Sequence, residues 1–170
     1  MARNVSVKGF TLIEVMITIF VVALGLLGMN ALQSHTVNNA FESYQRALMS
    51  SVVEDMSARI RMNPIRAKAG DYFQAPTLLV DCSILTGAQR DLCEWHREID
   101  GRHVMDATGA PVASPFGAVG CIENMGSGVI RVSVAWLGQT SQVLATTDCG
   151  QGVIAPEDQR RVVYRDVTLS

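Results

Sequence analysis

The chain has 170 residues, with 14 lysines and arginines against 16 aspartates and glutamates, and a formal net charge of −2. That length allows one ordinary domain plus an appendage, and the charge balance excludes an electrostatic nucleic-acid binder, whose domains are basic. Hydrophobic residues make up 48% of the chain, close to the globular norm, but much of this is concentrated in the first 32 residues.

Residues 1–9, MARNVSVKG, are polar and carry Arg3 and Lys8. Residues 15–29, VMITIFVVALGLLGM, hold no charge and one threonine, and no Asp, Glu, Lys or Arg separates Glu14 from Glu42. The run is long enough to cross a bilayer, which takes about 20 residues. Its basic flank predicts an N-terminus in the cytoplasm and export of the rest. A cleavable signal peptide expects a small-residue cleavage site after the run, and residues 30–36, NALQSHT, offer none. Neither a signal peptide nor a plain anchor accounts for Glu14, because a carboxylate in hydrocarbon costs a few kcal/mol on insertion scales.

Beyond the run, Val37, Phe41, Tyr44, Leu48, Val52, Met56 and Ile60 recur at steps of three and four. That spacing predicts the apolar face of an amphipathic helix, with Asn38, Glu42, Gln45, Arg46, Glu54, Ser57 and Arg61 on its other faces. Pro64 forbids easy continuation and pushes Asn63 out of helical geometry. One helix over residues 10–62 follows, roughly 80 Å long at 1.5 Å per residue. Gly25 and Gly28 each weaken it by about 1 kcal/mol relative to Ala. They suit either close packing between helices or a bend.

Residues 64–86 read as an irregular connection punctuated by Pro64, Gly70, Asp71 and Pro76. Thr86 and Gln89 fit a capping box. Ala88, Leu92, Trp95 and Ile99 follow at helical spacing, with Gly101 as a stop, so a short helix is expected over residues 87–99. Residues 107–115 suggest an exposed loop. Residues 116–123 are a weak strand. Residues 129–137, VIRVSVAWL, alternate cleanly, with Ile130, Val132, Val134 and Trp136 on one face and Arg131 and Ser133 on the other. Residues 142–147 read as its hairpin partner and residues 161–169 as a last strand. The expected fold is α+β: a long N-terminal helix packed on an antiparallel sheet of about four strands. Trp95 and Trp136, each on an apolar face, are expected in its core.

Little here suggests catalysis. No phosphate-binding glycine loop follows a strand, no Gly-x-Ser-x-Gly elbow exists, and no serine has a His and Asp constellation. No catalytic residue and no cofactor are assigned. The four cysteines, Cys82, Cys93, Cys121 and Cys149, lie in the exported part, which favours disulfides. Four cysteines allow three connectivities. A competing arrangement takes Cys93 and His96, three apart on the short helix, with Cys82 and His103 as a zinc site; His35 lies apart, on the long helix. In the other reading Cys93 is oxidised and His96 is a helix-surface residue.

The run Lys8-Gly9-Phe10-Thr11-Leu12-Ile13-Glu14-Val15 resembles the processing motif of type IV prepilins. The resemblance implies cleavage by a prepilin peptidase between Gly9 and Phe10, N-methylation of Phe10, and an assembly role for Glu14. Its carboxylate would meet the N-terminal amine of a neighbouring subunit, which makes a charge in hydrocarbon tolerable. Residues 23–33, ALGLLGMNALQ, with Arg90-Asp91-Leu92-Cys93-Glu94-Trp95, Arg131-Val132-Ser133-Val134-Ala135-Trp136 and Arg161-Val162-Val163, resemble minor pilins of the PilV type. That family implies a low-abundance subunit that joins other minor pilins in a complex priming assembly and capping the pilus tip. Implied partners are those minor pilins, the major pilin, the peptidase and the inner-membrane assembly platform. The implied organisation is a cleaved leader, residues 1–9; a membrane and filament-core half-helix, residues 10–35; an amphipathic half-helix, residues 36–63; and a disulfide-bonded periplasmic head, residues 64–170. The implied localisation is the bacterial inner membrane as a single pass, then the pilus or cell surface. Local spacing and the resemblance together pair Cys82 with Cys93 and Cys121 with Cys149. The neighbouring possibilities are a minor pseudopilin of type II secretion and a membrane-anchored periplasmic metal-binding protein or enzyme.

Overall fold

The computed structural model describes residue 9 and residues 11–74, 81–101, 117–142 and 144–169. Phe10, Pro76, His103, Phe116 and the expected loop at residues 107–115 lie outside the described residues, as does the side chain of His35. The chain divides into two units, Met1–Phe41 and Glu42–Ser170. Helix α1, Leu12–Met62, makes up most of what is described of the first and opens the second.

In the first unit, residues 15–29 of α1 are apolar apart from Thr18, and Leu12, Phe20, Leu26 and Leu32 are all exposed. In the second unit its buried positions are Gln45, Met49, Val52, Val53, Met56, Ser57 and Ile60. This rotates the expected stripe. Tyr44 is 65% exposed, and Val37 and Phe41 are exposed in the first unit. Gln45 and Ser57, assigned to polar faces, turn inward instead. Ser57 can do so because its hydroxyl donates to the Val53 carbonyl at 2.7 Å, whereas Gln45 Oε1 is buried with no hydrogen-bond partner among the described residues.

Helix α1 stops at the expected place, with Asn63 at φ −121°, ψ 56°. The chain does not then become irregular. Pro64 opens a second helix, α2, Pro64–Ala69, because a first-turn proline gives up an N–H that no helix uses. Gly70, at φ 88°, closes it by donating to the Ala67 and Arg66 carbonyls, a left-handed stop that glycine permits. Single 3₁₀ turns follow at Asp71–Phe73 and Cys82–Ile84. Helix α3, Ala88–Ile99, starts at Gly87 with no side-chain cap, so the expected capping box is not formed. The Gln89 amide reaches Gln74 instead.

The sheet has three antiparallel strands in the order β1-β2-β3: Val119–Gly126, Val129–Leu137 and Arg160–Thr168. The expected fourth strand is absent among the described residues of 142–147. Both sides of β2 are already occupied, by β1 and by β3, which pairs with it from Val129↔Thr168 to Leu137↔Arg160. The segment that looked like a hairpin partner therefore belongs to the long β2–β3 connection. The short connection, β1 to β2, turns at Ser127 and Gly128, φ 52° and 74°, the positive-φ pair that matches strand twist.

One core lies between α1, α3 and the sheet face bearing Ile130, Val132, Val134 and Trp136. Trp95 is fully buried there and donates to the Val52 carbonyl at 2.9 Å. A second, smaller core covers the other sheet face, where Ala135 meets Cys149 and Ile154 of the β2–β3 connection. Ser133, on that other face, is therefore fully buried.

Candidate functional site: the N-terminal segment and the bracing of the second unit

In the first unit, Gly9 is exposed and Thr11 precedes the helix. The Thr11 carbonyl accepts from Glu14 N at 3.1 Å and Val15 N at 3.3 Å, so it opens the first turn. Glu14 sits in that turn as its acidic residue and is exposed. A carboxylate here also complements the positive end of the helix. Thr18, within the oily run, donates its hydroxyl to the Val15 carbonyl at 2.8 Å, so its polar group is satisfied without water. A side-chain carbon at Gly25 or Gly28 would meet nothing within 4 Å. Among the described residues the small size of these glycines serves no contact.

In the second unit, disulfides join Cys82 to Cys93 and Cys121 to Cys149. With Cys82 and Cys93 bonded to each other, their thiolates are not available for the alternative zinc arrangement. Among the described residues no group of three His, Cys, Asp or Glu could hold a metal. His96 is not a plain surface residue. It lies edge-on to Trp95 with ring centres 5.3 Å apart, and burial lowers its pKa below the ordinary value of 6.5 against the opposing charge of Asp100.

Three charged residues that the sequence reading left without a role brace this unit. Glu42 Oε1 accepts from the Gln139 and Thr140 amides, each at 3.2 Å, from the Thr140 hydroxyl at 2.9 Å and from the Arg161 guanidinium at 3.1 Å. It thereby ties α1 to the start of the β2–β3 connection and to β3. Burial pushes its carboxyl up, but Thr140, Arg161 and the Gln139 amide outweigh burial and leave the pKa lowered. Arg160, only 4% exposed, donates to the Thr147 and Cys149 carbonyls and to Glu157, each at 2.7 Å. Glu157 in turn accepts from Gly152 N. The connection folds around this one guanidinium, whose fan of donors suits convergent carbonyls. Arg59 joins Asp55 and Glu94, each at 2.7 Å, linking α1 to α3. Arg59 followed by Arg90 hold the Glu94 carboxyl below its ordinary pKa. Nearby, the Tyr72 hydroxyl donates to Asp91 at 2.7 Å. The one sequence cue for Glu42 was its position, as the first acid or base after Glu14. For Arg160 the one local partner was Glu157, three residues before it; its other partners are the carbonyls of Thr147 and Cys149, which carry no sequence signal.

The motif model described as the prokaryotic N-terminal methylation motif matches residues 5–30. No curated protein and no solved structure matches the chain. The matched window contains Lys8, Gly9, Phe10, Glu14 and the oily run. Over this window the chain is type IV prepilin-like, and proteins carrying the motif are structural. The motif and the long apolar helix fit a membrane-anchored protein, and the long helix with its small antiparallel sheet is a pilin-like α+β arrangement.

Proposed function

We propose that this chain is a minor pilin of a type IV pilus, of the PilV type, acting in the complex that starts assembly and caps the fibre. The observation that carries this reading is the coincidence of the methylation motif at residues 5–30 with Glu14 at the head of an unbroken apolar helix. A prepilin peptidase cleaves between Gly9 and Phe10, and Phe10 is then N-methylated. Glu14 meets the new amine of an adjacent subunit, which removes the cost of its charge in lipid. The span crosses the inner membrane once, N-terminus in the cytoplasm, and the head is periplasmic, where disulfides persist. Other minor pilins, the major pilin and the assembly platform are its partners.

Top-down mass spectrometry of the membrane-extracted chain under non-reducing conditions tests the route. A chain beginning at methylated Phe10, four hydrogens lighter than its reduced form, is expected from the two disulfides. A chain beginning at Met1 or Ala2 would overturn the reading. Loss of twitching motility on deletion marks a pilus subunit, whereas loss of protein secretion marks a minor pseudopilin of type II secretion.

A further inference from the structure

In an antiparallel sheet, alternate residues of an edge strand turn their N–H and C=O groups toward the neighbouring strand and the others turn them away. Gly138 N donates to Gln159 O, and Leu169 N donates to Gly128 O. With the β2–β3 register, these two bonds fix the phase: odd-numbered residues of β3 bond β2. The backbone groups of Val162, Tyr164, Asp166 and Thr168 therefore point off the sheet. At the start of β3 this outer side is in use, since Asp158 O accepts from Gln142 N and Arg160 N donates to Glu157 O. Beyond that point no described residue bonds to it, and Tyr164, Arg165 and Asp166 are exposed.

Proteins normally blunt such an edge with charged side chains, proline, a bulge or a cover. The charges of β3 are engaged within the chain, Arg165 by Glu54 and Asp166 by Arg131. β3 has no proline, and its pairing runs without a shift over nine residues. The opposite edge strand is treated differently. β1 is bulged between Asn124 and Gly126, and its Gly120 packs beneath Trp95 and Ile99 of α3.

We propose that the outer edge of β3 is a strand-addition site for an extended segment of a different protein, one that carries a carboxylate beside Arg165. Main-chain bonds to Val162, Tyr164, Asp166 and Thr168 would supply affinity, and alternate side chains would supply selectivity. Arg165 is paired with Glu54 yet its side chain remains 45% exposed. A guanidinium has donors enough for a second carboxylate. Tyr164 offers a ring already stacked over by Arg131, 4.4 Å away.

A second copy fits the edge poorly. Antiparallel self-pairing centred on Tyr164 makes the two Arg165 side chains diagonal neighbours, where like charges repel.

Amide hydrogen exchange of β3, measured by quenched mass spectrometry, tests the site on the full chain in native membranes and on the same chain purified in detergent. Peptides spanning residues 162–168 are expected to exchange at least about ten-fold more slowly in membranes. Tyr164→Pro, which deletes one outward N–H, should abolish that protection, whereas Tyr164→Ala should keep it. Equal fast exchange in both samples overturns the proposal, and so does equal slow exchange, which means the chain covers its own edge. Cross-linking between two copies through a cysteine at position 164 overturns the foreign occupant. If Tyr164→Pro unfolds, as Val163→Pro should because its N–H bonds β2, the wild-type comparison decides alone. An unprocessed N-terminus would sink the pilin reading without touching these exchange rates.

Discussion

Glu14 and Glu42 are the two carboxylates that bound the uncharged stretch, and they meet opposite fates. Among the described residues Glu14 forms no ion pair, and under the pilin reading its cation comes from a neighbouring subunit. Glu42 is satisfied internally by four donors on one oxygen. Replacing Glu14 with Val should leave membrane insertion intact and cut incorporation into filaments by at least about ten-fold, the loss of about 1.4 kcal/mol or more of ion pairing; immunoblots of sheared pili against membranes check it. For Glu42 the sign is set by its lowered pKa. The ionised form favours the fold, so its contribution is complete above the ordinary value of 4.5 and is lost as pH falls through the lower folded value. Glu42→Gln should cost about 1.5–3 kcal/mol at pH 7, the range for hydrogen bonds to a charged group. It should also flatten the loss of stability below about pH 4.5. Urea unfolding of both proteins between pH 3 and 7 measures this. Parallel pH profiles would mean that the clasp adds nothing to stability.

At the scale of elements, α3 and β1 approach more closely than any substituted residue would allow. A side-chain carbon at Gly120 would lie 2.5 Å from Ile99 Cδ1 and 2.7 Å from the outer ring atoms of Trp95. Neither neighbour has room to yield: both are buried, and the indole N–H is fixed on Val52. Gly120→Ala should therefore destabilise the head by about 1–3 kcal/mol, the usual cost of overpacking, read as a lower urea midpoint with unchanged slope. The elements that were plain in the sequence are those whose period is local. The alternation of residues 129–137 gave β2, and the four apolar residues of α3 gave its face. What was not plain depends on partners far along the chain. The 142–147 segment has strand chemistry, but β3 takes its place beside β2. Pro64 was read as a stop, and it is also the start of α2. Ser57 could turn inward on α1 because it satisfies its own hydroxyl, which a polarity pattern cannot show. The methylation motif at residues 5–30 was legible because its residues are contiguous. The Glu42 clasp was not, since its partners lie at positions 139, 140 and 161.

At the scale of the whole chain, the two units divide the work. The matched motif, residues 5–30, lies within Met1–Phe41, and both disulfides lie within Glu42–Ser170. Processing should then be indifferent to the state of the head. The Cys121–Cys149 bond closes a separation of 28 residues and holds the second core, with Cys149 fully inside it. By loop entropy such a bond adds about 3–4 kcal/mol, and losing it also removes cover from Ala135. The Cys82–Cys93 bond closes only 11 residues and staples a 3₁₀ turn to α3. The double substitution Cys121→Ala, Cys149→Ala should therefore cost more stability than Cys82→Ala, Cys93→Ala. Under the pilin reading, the first variant should still be cut after Gly9 and methylated at Phe10, because the peptidase meets only the N-terminal segment. It should nonetheless become protease-sensitive in the periplasm and fail to enter filaments. Top-down mass spectrometry paired with limited proteolysis separates the two properties. A head that unfolds and an N-terminus that stays uncut in the same variant would show that the units are coupled, and that recognition of the leader reads more of the chain than the motif.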